Sequence, residues 1–276
     1  MAGGDRIARL EEKAREVRFH IVDMIHTAQS GHPGGSLSAA DIMTALYFDF
    51  LRIRPQEPRW SDRDRFVLSK GHACPVLYAC LALRGYFPLE TLQTLRQFES
   101  ILQGHPIIKT PGVDMSTGSL GHGMAIAVGM AIDGKLRGRD YRTYAVVGDG
   151  ELNEGIIWES ASAAHKYALD RLIVCVDVNR LQNDGDTRSV MPMDPIADKW
   201  RAFNWNVLEM DGHDMRQVVS TIEAAQALKG RPTCIVARTV KGRGVSFMEN
   251  KRGWHGAAPD DAQYEQAVRE IRGGLR

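Results

Sequence analysis

Five short apolar runs, spread along most of the chain, constrain its fold more than any other feature of the sequence. Each is rich in β-branched residues, which is typical of a buried β-strand. The runs are Arg65–Leu68, Thr143–Val147, Leu172–Val176, Trp205–Met210 and Thr233–Ala237. Stretches of helical period lie between them, for example Glu154–Tyr167 and Asp214–Lys229. Alternating strands and helices, with strands apolar on both faces, predict an α/β fold in which helices cover both faces of a parallel sheet.

The amino-terminal segment predicts a long helix followed by a loop. Apolar residues recur every three or four positions from residue 7 to residue 28, as on one face of an amphipathic helix. The glycines and proline of the next segment, Ser30–Gly35, predict an exposed loop that ends this helix. Ser38 and Asp41 have the spacing of a capping box and predict the start of the following helix.

Composition bounds the class of protein. The chain has 276 residues, 43% hydrophobic and 25% charged, so it can bury a substantial core, and we predict a single domain over residues 1–276. A formal net charge of +1 argues against nucleic-acid and anionic-membrane partners. The polar amino terminus and the lack of a bilayer-length apolar stretch predict a cytoplasmic protein. Four scattered cysteines without a CxxC spacing predict reduced, buried thiols: Cys74, Cys80, Cys175 and Cys234.

The chemistry is expected in the loops after the strands, because open parallel sheets bind ligands outside the carboxyl ends of their strands. One such loop is Gly148-Asp149-Gly150-Glu151, and Asn179 follows the next strand. Asp149, Asn179 and the backbone carbonyl of Leu181 could supply half of the oxygen octahedron that Mg²⁺ prefers, and a diphosphate much of the remainder. Singly, each motif is better explained as a turn or a strand-end cap. Their separation of 30 residues (179 − 149), filled by one helix and one strand, favours a shared site.

The same residues resemble a known fingerprint. Gly148-Asp149-Gly150, followed by a helix, a strand and Asn179-Arg180-Leu181, is similar to the thiamine diphosphate motif, in which Mg²⁺ bridges the diphosphate. Other segments resemble the amino-terminal part of transketolase: SGHPGGSLSAADIMTALY, DRFVLSKGHACPVLYACLALRGY, GHP at 104–106, TGSLGHGMAIAVGMA and KGRGVSFMENKRGWHGAAP. The resemblance covers nearly the whole chain. A related family that makes deoxyxylulose phosphate shares the GDG motif, but its first loops resemble SGGH and GHQ instead, and it is the alternative.

The transketolase resemblance implies transfer of a two-carbon ketol unit from a ketose to an aldose, with thiamine diphosphate and Mg²⁺ as cofactors. That reaction moves protons on and off sugar oxygens, a task suited to imidazoles. By resemblance, His32 and His255 face substrate hydroxyls. His105 faces the C1 hydroxyl, and His72 lies beside the diphosphate. The implied cofactor-binding residues are His72, Gly118, Ser119, Leu120, Gly148, Asp149, Gly150, Glu151, Asn179 and His255.

Other features near these motifs receive no separate function. Ser119 stands where the family often has proline, which leaves the main-chain role of that loop intact. Gly129–Lys135 nearly matches a nucleotide phosphate loop, but it lies in a helical segment, follows no strand and is followed by Leu136 instead of a hydroxyl residue. We interpret Gly129 and its alanine neighbours as a helix-packing face. We interpret three histidines on helical patterns as surface or packing residues: His20, His26 and His165. We interpret His213 as a turn cap.

The resemblance also implies a missing half. Enzymes of this family need a second domain that holds the pyrimidine ring and brings a glutamate to it, and the sequence ends soon after the KGRG and WHG segments. We therefore expect a split transketolase whose partner chain carries the pyrimidine-binding and carboxy-terminal domains, most simply with two copies of each chain. Glu154 is grouped with the catalytic residues because, by resemblance, it touches the partner's glutamate. A noncatalytic cofactor-binding module is the alternative, and the sugar, a ketose phosphate or a related sugar, is left open.

Overall fold

The structure, a computed structural model, describes residues 2–273 and contains one five-stranded sheet. The strands are β1 (Arg65–Leu68), β2 (Thr143–Gly148), β3 (Leu172–Val178), β4 (Asn206–Asp211) and β5 (Thr233–Arg238). They are all parallel and lie in the order β1-β2-β3-β5-β4. The helices are α1 (Ala2–Ala28), α2 (Pro33–Ser38), α3 (Ala40–Ala45), α4 (Cys74–Leu83), α5 (His122–Leu136), α6 (Gly155–Lys166), α7 (Thr187–Val190), α8 (Ile196–Ala202), α9 (Met215–Ala227) and α10 (Asp261–Gly273).

Helices cover both faces of the sheet, which confirms the predicted α/β class. Side chains alternate along each strand, so that Phe66 and Leu68 of β1 enter one core and Val67 enters the other. The first core contains residues of α1, α3, α4, α9 and α10, and the second contains residues of α5, α6 and α8. The strand β3 is buried along its whole length, whereas β4 lies at the edge and is partly exposed. The five predicted strands are all present, and their ends differ from the predicted ends by no more than two residues.

The prediction of an exposed loop at Ser30–Gly35, after the first helix, is wrong. Soon after α1 ends at Ala28, the chain forms α2, and all six residues of α2 are buried. Pro33 occupies the first turn of this helix, where a missing N–H is tolerated. A Cβ at Gly34 would lie 2.8 Å from the carbonyl oxygen of Trp254, so the glycine permits a close approach between two backbones. The glycine and proline run therefore forms a tightly packed helix beside the carboxyl edge of the sheet.

The capping box predicted at Ser38 and Asp41 is also wrong. Ser38 is the last residue of α2, and its hydroxyl donates to the Asp177 carboxylate at 2.6 Å. Asp41 accepts a hydrogen bond from Arg18 at 2.9 Å. The residue at the N-cap of α3 is Ala39, which offers no side-chain acceptor. Both polar side chains belong to buried networks behind the site described below, because short polar groups at a buried helix end find partners in the tertiary structure.

The helix α5 contains the segment that resembled a phosphate loop, as expected for a helical segment. The packing face assigned to it is confirmed for the alanine neighbours Ala127 and Ala131, which are buried in the second core, but it is wrong for Gly129. Gly129 is exposed, and a Cβ there would meet nothing within 4 Å. The close approach is at Gly123, where a Cβ would lie 2.5 Å from the Cα of Ser69. This contact brings the start of α5 against the end of β1.

Other expectations from the sequence agree with the structure. Asp214 caps α9, accepting hydrogen bonds from the backbone N–H of Arg216 at 2.9 Å and of Gln217 at 3.2 Å. The four cysteines are buried and free. Between residues 2 and 273, no helix is both long enough and apolar enough to cross a bilayer. The cytoplasmic location stays a prediction.

Candidate active site

Four neighbouring strands each place a polar side chain at one cavity. Lys70 follows β1, and Asp149 follows β2. Asn179 follows β3, and Lys241 lies shortly after β5. All four line a cavity of about 390 Å³ at the carboxyl edge of the sheet. The structure thus brings Asp149 and Asn179 together, and it adds two lysines that were not singled out in the sequence.

Asp149 is a buried carboxylate, only 3% exposed, at the end of β2. It accepts hydrogen bonds from the backbone N–H of Gly150 at 2.9 Å and of Arg180 at 2.7 Å. Burial, together with the negative charge of Asp177, raises the pKa of Asp149 to about 6. A bound cation would relieve both effects, so the carboxylate is poised to accept one.

Asn179 is oriented by the hydrogen bonds of its carboxamide. Its Nδ2 donates to Asp177 at 3.2 Å, and its Oδ1 accepts from the backbone N–H of Leu181 at 3.1 Å. The backbone carbonyl of Leu181, the third predicted metal ligand, accepts a hydrogen bond from the Lys241 ammonium at 2.8 Å. Within residues 2–273, no three His, Cys, Asp or Glu side chains form a group that could hold a metal ion. A metal here would therefore rely on amide and carbonyl oxygens beside Asp149.

A buried ion pair lies beneath this surface. Lys70 donates to the Asp177 carboxylate and to the backbone carbonyl of Gly35 at 2.7 Å. Asp177 also accepts from Ser38, Asn179 and Thr239. Burial alone would raise the pKa of Asp177, but Lys70 and the hydroxyls of Ser38 and Thr239 hold it below its usual value. The sequence carried one signal for this network, a single acidic residue near the end of the otherwise apolar run LIVCVDV.

Lys241 lies between the metal site and a histidine. Its ammonium group is 2.6 Å from Nδ1 of His255 and donates to the Leu181 carbonyl. Burial, with a smaller effect from Lys70, lowers the pKa of Lys241 to about 8. Lys241 pairs with no carboxylate among the described residues, so its charge is available to an anion in the cavity. The sequence analysis noted its motif, KGRG, but no local signal distinguished this lysine from a surface lysine.

Glu151 shapes the loop that closes one side of the cavity. Its carboxylate accepts hydrogen bonds from the backbone N–H of Gly121 at 2.8 Å and of Gly148 at 3.0 Å. Gly121 has a φ of +80°, and a Cβ there would lie 2.5 Å from a methyl carbon of Ile156, so only glycine fits this turn. Glu151 was expected to bind the cofactor. Glu151 lines the cavity, and its carboxylate also accepts a hydrogen bond from the Ser69 hydroxyl, so it braces the loop that carries Gly118 and Leu120. Its contact with a cofactor stays a prediction.

Three of the predicted histidines form a cluster: His72 and His255 line the cavity, and His32 packs against both of them. The ring centroids of His32, His72 and His255 lie 5.2 to 5.6 Å apart. Burial and nearby cations lower the pKa of each: Arg96 acts on His32, Lys70 on His72 and Lys241 on His255. The pKa values of His32 and His255 are about 4. The three imidazoles are therefore neutral near pH 7, each with one N–H donor and one acceptor nitrogen.

Three predicted residues lie further out. His105 is exposed, and its ring is 3.5 Å from where a Cβ of Gly118 would be, so it stands at the mouth of the cavity. The hydroxyl of Tyr78 lies 3.0 Å from the backbone carbonyl of His105 and steadies this loop. Ser119 is exposed and does not line the cavity. Glu154 lines the cavity but is exposed, at the start of α6.

The cavity fits a hard cation that carries a diphosphate. Oxygen donors of the Mg²⁺ type come from Asp149, Asn179 and Leu181, and buried ammonium groups stand beside them. The side-chain oxygen of Gln182 is buried at this cavity without a hydrogen-bond partner among the described residues. A Cβ at Gly150 would lie 3.1 Å from the Cβ of Gln182, so the glycine lets Gln182 pack against the loop next to Asp149.

Comparison with known proteins agrees with this site. A family model described as "Transketolase, thiamine diphosphate binding domain" matches residues 10–273. The chain belongs to the transketolase family. The match includes all of the side chains that line the cavity, and it places thiamine diphosphate as the cofactor of this type of domain.

Individual relatives are similar over nearly the whole chain. A protein of Phocaeicola vulgatus named as a subunit of apulose-4-phosphate transketolase is 43% identical over 266 residues, which cover 96% of this chain and 95% of that protein. The 6-deoxy-6-sulfo-D-fructose transketolase subunit SqwG of a Clostridium species is 43% identical over 263 residues, 95% of this chain and 96% of that protein. The crystal structure of transketolase from Campylobacter jejuni has a TM-score of 0.92 at 36% identity, covering 95% of this chain and 42% of that one. This chain thus matches subunits of its own length and less than half of that larger enzyme.

These matches confirm three expectations from the sequence. They confirm the transketolase family, the enzyme class and thiamine diphosphate-dependent ketol transfer as the reaction to which this chain contributes. They favour transketolase over the family that makes deoxyxylulose phosphate.

Proposed function

We propose that this chain is the amino-terminal subunit of a two-chain transketolase and that its cavity holds the diphosphate of thiamine diphosphate together with Mg²⁺. Asp149, Asn179 and the Leu181 carbonyl are the proposed metal ligands. Thiamine diphosphate supplies the electron sink that allows a carbon–carbon bond beside a carbonyl to break. Lys241 would balance part of the charge of the diphosphate, and the neutral imidazole of His72 would donate a hydrogen bond to it. Lys241 donates to one lone pair of the Leu181 carbonyl, and the second lone pair would serve the metal.

The histidine cluster is the single observation that carries this proposal. A binding module needs cations for a diphosphate. It has no need of a cluster of three neutral imidazoles whose ring centroids lie within 5.6 Å of one another. We assign His32 and His255 to the hydroxyls of the sugar, where a neutral imidazole donates one hydrogen bond and accepts another. His105 at the mouth is assigned to the C1 hydroxyl. Hydrogen-bond donors at these oxygens stabilise negative charge as it develops there.

A partner chain is proposed to complete the site. The relatives named as transketolase subunits match this chain over nearly their whole length, which supports a second chain that carries the pyrimidine-binding and carboxy-terminal domains. Glu154 is exposed at the edge of the cavity, where a partner's glutamate could reach it. Phe98 and Ile108, which flank His105 in the sequence, are 94% and 61% exposed, as expected of a surface that another protein covers. Two copies of each chain are the simplest assembly, and the single domain proposed here is residues 1–276.

The test is a reconstitution assay. The purified chain is supplied with thiamine diphosphate, Mg²⁺, a ketose phosphate donor and an aldose acceptor, first alone and then with the partner chain that co-purifies with it. We expect ketol transfer only in the second case, with the donor, a ketose phosphate or a sulfonated ketose, determined by substrate comparison. Full activity of this chain alone would refute the two-chain proposal. Cofactor binding without transfer in any assembly would support the noncatalytic alternative.

A further inference from the structure

The strand β4 contributes none of the residues that line the cavity. The loop after it, however, contacts the segment that carries Lys241. The segment 239–242 leaves β5, and its side chains alternate: Thr239 donates to Asp177, and Lys241 points into the cavity. Between them, the backbone N–H of Val240 points away from the cavity and donates to Nε2 of His213 at 2.8 Å. His213, assigned to a turn cap from the sequence, is therefore bound to the segment that carries Lys241.

The two hydrogen bonds of His213 fix the position of its proton. Nε2 accepts a backbone N–H, so it carries no hydrogen. Nδ1 lies 2.7 Å from the carboxylate of Asp41, which can only accept, so the imidazole hydrogen is on Nδ1. The ring is consequently a neutral imidazole that joins Asp41 to Val240. A hydrogen on Nε2 would face the Val240 N–H and break this link.

Asp41 is itself held in place. Arg18 of α1 donates to it through both terminal nitrogens of the guanidinium, one of them at 2.9 Å, and both residues are less than 9% exposed. The Nε of Arg18 also donates to the backbone carbonyl of Arg243 at 3.2 Å. The Arg18–Asp41–His213 chain thus ties α1, α3 and the loop after β4 to the segment that follows β5. None of its members lines the cavity.

We propose that His213 is a positioning residue for the cofactor site and that, through the Val240 amide, it holds Lys241 in the cavity. This inference rests on the proposed function. Lys241 is only 2% exposed, and an ammonium group favours water, so a free segment would shift to let it reach solvent. Anchors on both sides oppose that shift: His213 holds Val240 from behind, and the N–H of Gly242 donates to the Gly34 carbonyl at 3.0 Å.

Two substitutions of His213 separate this role from general support of the fold. In His213→Gln, the side-chain carboxamide reaches the position of Nε2 and its oxygen can accept the Val240 N–H. In His213→Asn, the shorter carboxamide reaches the position of Nδ1 and leaves the Val240 N–H without an acceptor. We expect His213→Asn to weaken binding of thiamine diphosphate with Mg²⁺ to the assembled enzyme by about threefold to tenfold, the effect of one hydrogen bond. His213→Gln should stay within about twofold of the wild type, which lies below that range.

Two readouts do not depend on activity. Amide hydrogen exchange at Val240 should be faster in His213→Asn than in the wild type and close to the wild type in His213→Gln. In wild-type protein, ¹⁵N NMR should find Nδ1 of His213 protonated and Nε2 unprotonated, and this measurement needs no variant. Val219→Ala, which removes buried side-chain volume from α9, is the control for lost stability.

The outcomes are distinct. Equal cofactor affinity in the Asn and Gln variants, or Nε2 protonated in the wild type, overturns the proposal. So does a loss of affinity in Val219→Ala that matches the loss in His213→Asn at equal melting temperature. If wild-type enzyme binds no thiamine diphosphate, the proposed function fails, and the exchange and NMR results then still show whether His213 anchors Val240.

Discussion

Asparagine in place of Asp149 should change the pH dependence of stability in a way that the structure specifies. The carboxylate is buried, and its pKa in the folded chain is about 6, against 3.8 without the fold. The folded state therefore keeps a proton that the unfolded state releases. Because stability falls with rising pH wherever the folded state binds more protons, wild-type protein without metal should lose stability as the pH rises from about 4 to about 6. Asparagine cannot ionise and should not show this loss.

The size of the effect follows from the two pKa values. The difference between 3.8 and about 6 corresponds to about 3 kcal/mol at pH values above both. Over a practical range of pH 4 to 7.5, the stability of Asp149→Asn relative to the wild type should rise by about 2–3 kcal/mol. The substitution also places an amide N–H against one of two backbone N–H donors, those of Gly150 and Arg180, which costs about 1–3 kcal/mol. That cost lowers the stability of Asp149→Asn equally at every pH and leaves its pH dependence unchanged.

Urea unfolding of the isolated chain, followed by tryptophan fluorescence in the presence of a chelator, measures this difference at each pH. Asp184→Asn is the control, because it removes one charge at an exposed position of the same cavity. Adding Mg²⁺ and thiamine diphosphate should stabilise the wild type and leave Asp149→Asn unchanged. A stability difference between Asp149→Asn and the wild type that stays constant from pH 4 to 7.5 would refute the reasoning about burial.

The remaining predictions concern the histidines and two glycines. In the reconstituted enzyme, His32→Ala and His255→Ala should each lower kcat by about 10²–10⁴-fold with a smaller effect on cofactor affinity. His72→Ala should mainly weaken cofactor binding, and wild-type kinetics in all three variants would contradict the assignments. Gly123→Ala should destabilise the chain by about 1–3 kcal/mol, since its Cβ would lie 2.5 Å from a backbone atom. Gly129→Ala on the exposed face of the same helix should stabilise it by about 0.5–1 kcal/mol, and thermal melting compares the two.

The layered fold could be predicted because its signals are local. Each strand is a short run of apolar β-branched residues, and Asp214 caps its helix with the spacing expected of a helix start. The errors fell where tertiary packing decides. Glycine and proline in Ser30–Gly35 usually mark exposed turns, but here they allow α2 to pack closely, and a sequence pattern does not show which backbone a glycine approaches.

Of the residues at the candidate site, too, some could be predicted from the sequence and others could not. Asp149 and Asn179 could be placed at one edge because they follow neighbouring parallel strands, and strand topology then brings them together. Lys70 and Lys241 could not be distinguished from surface lysines, since their importance comes from burial and from partners distant in sequence. His213 sat in a turn motif that explains a histidine without any long-range contact. Its bond to Val240, 27 residues away, exists only in the folded chain.

The position of a bound metal tests the account most directly. The assembled enzyme is crystallised with thiamine diphosphate and Mn²⁺ in place of Mg²⁺, and the anomalous signal locates the ion. The account predicts one peak within about 2.0–2.3 Å of Asp149, the Asn179 carboxamide oxygen and the Leu181 carbonyl, with the diphosphate beside it. A peak that lacks Asp149 and Asn179 as ligands, or a diphosphate bound outside this cavity, would contradict it.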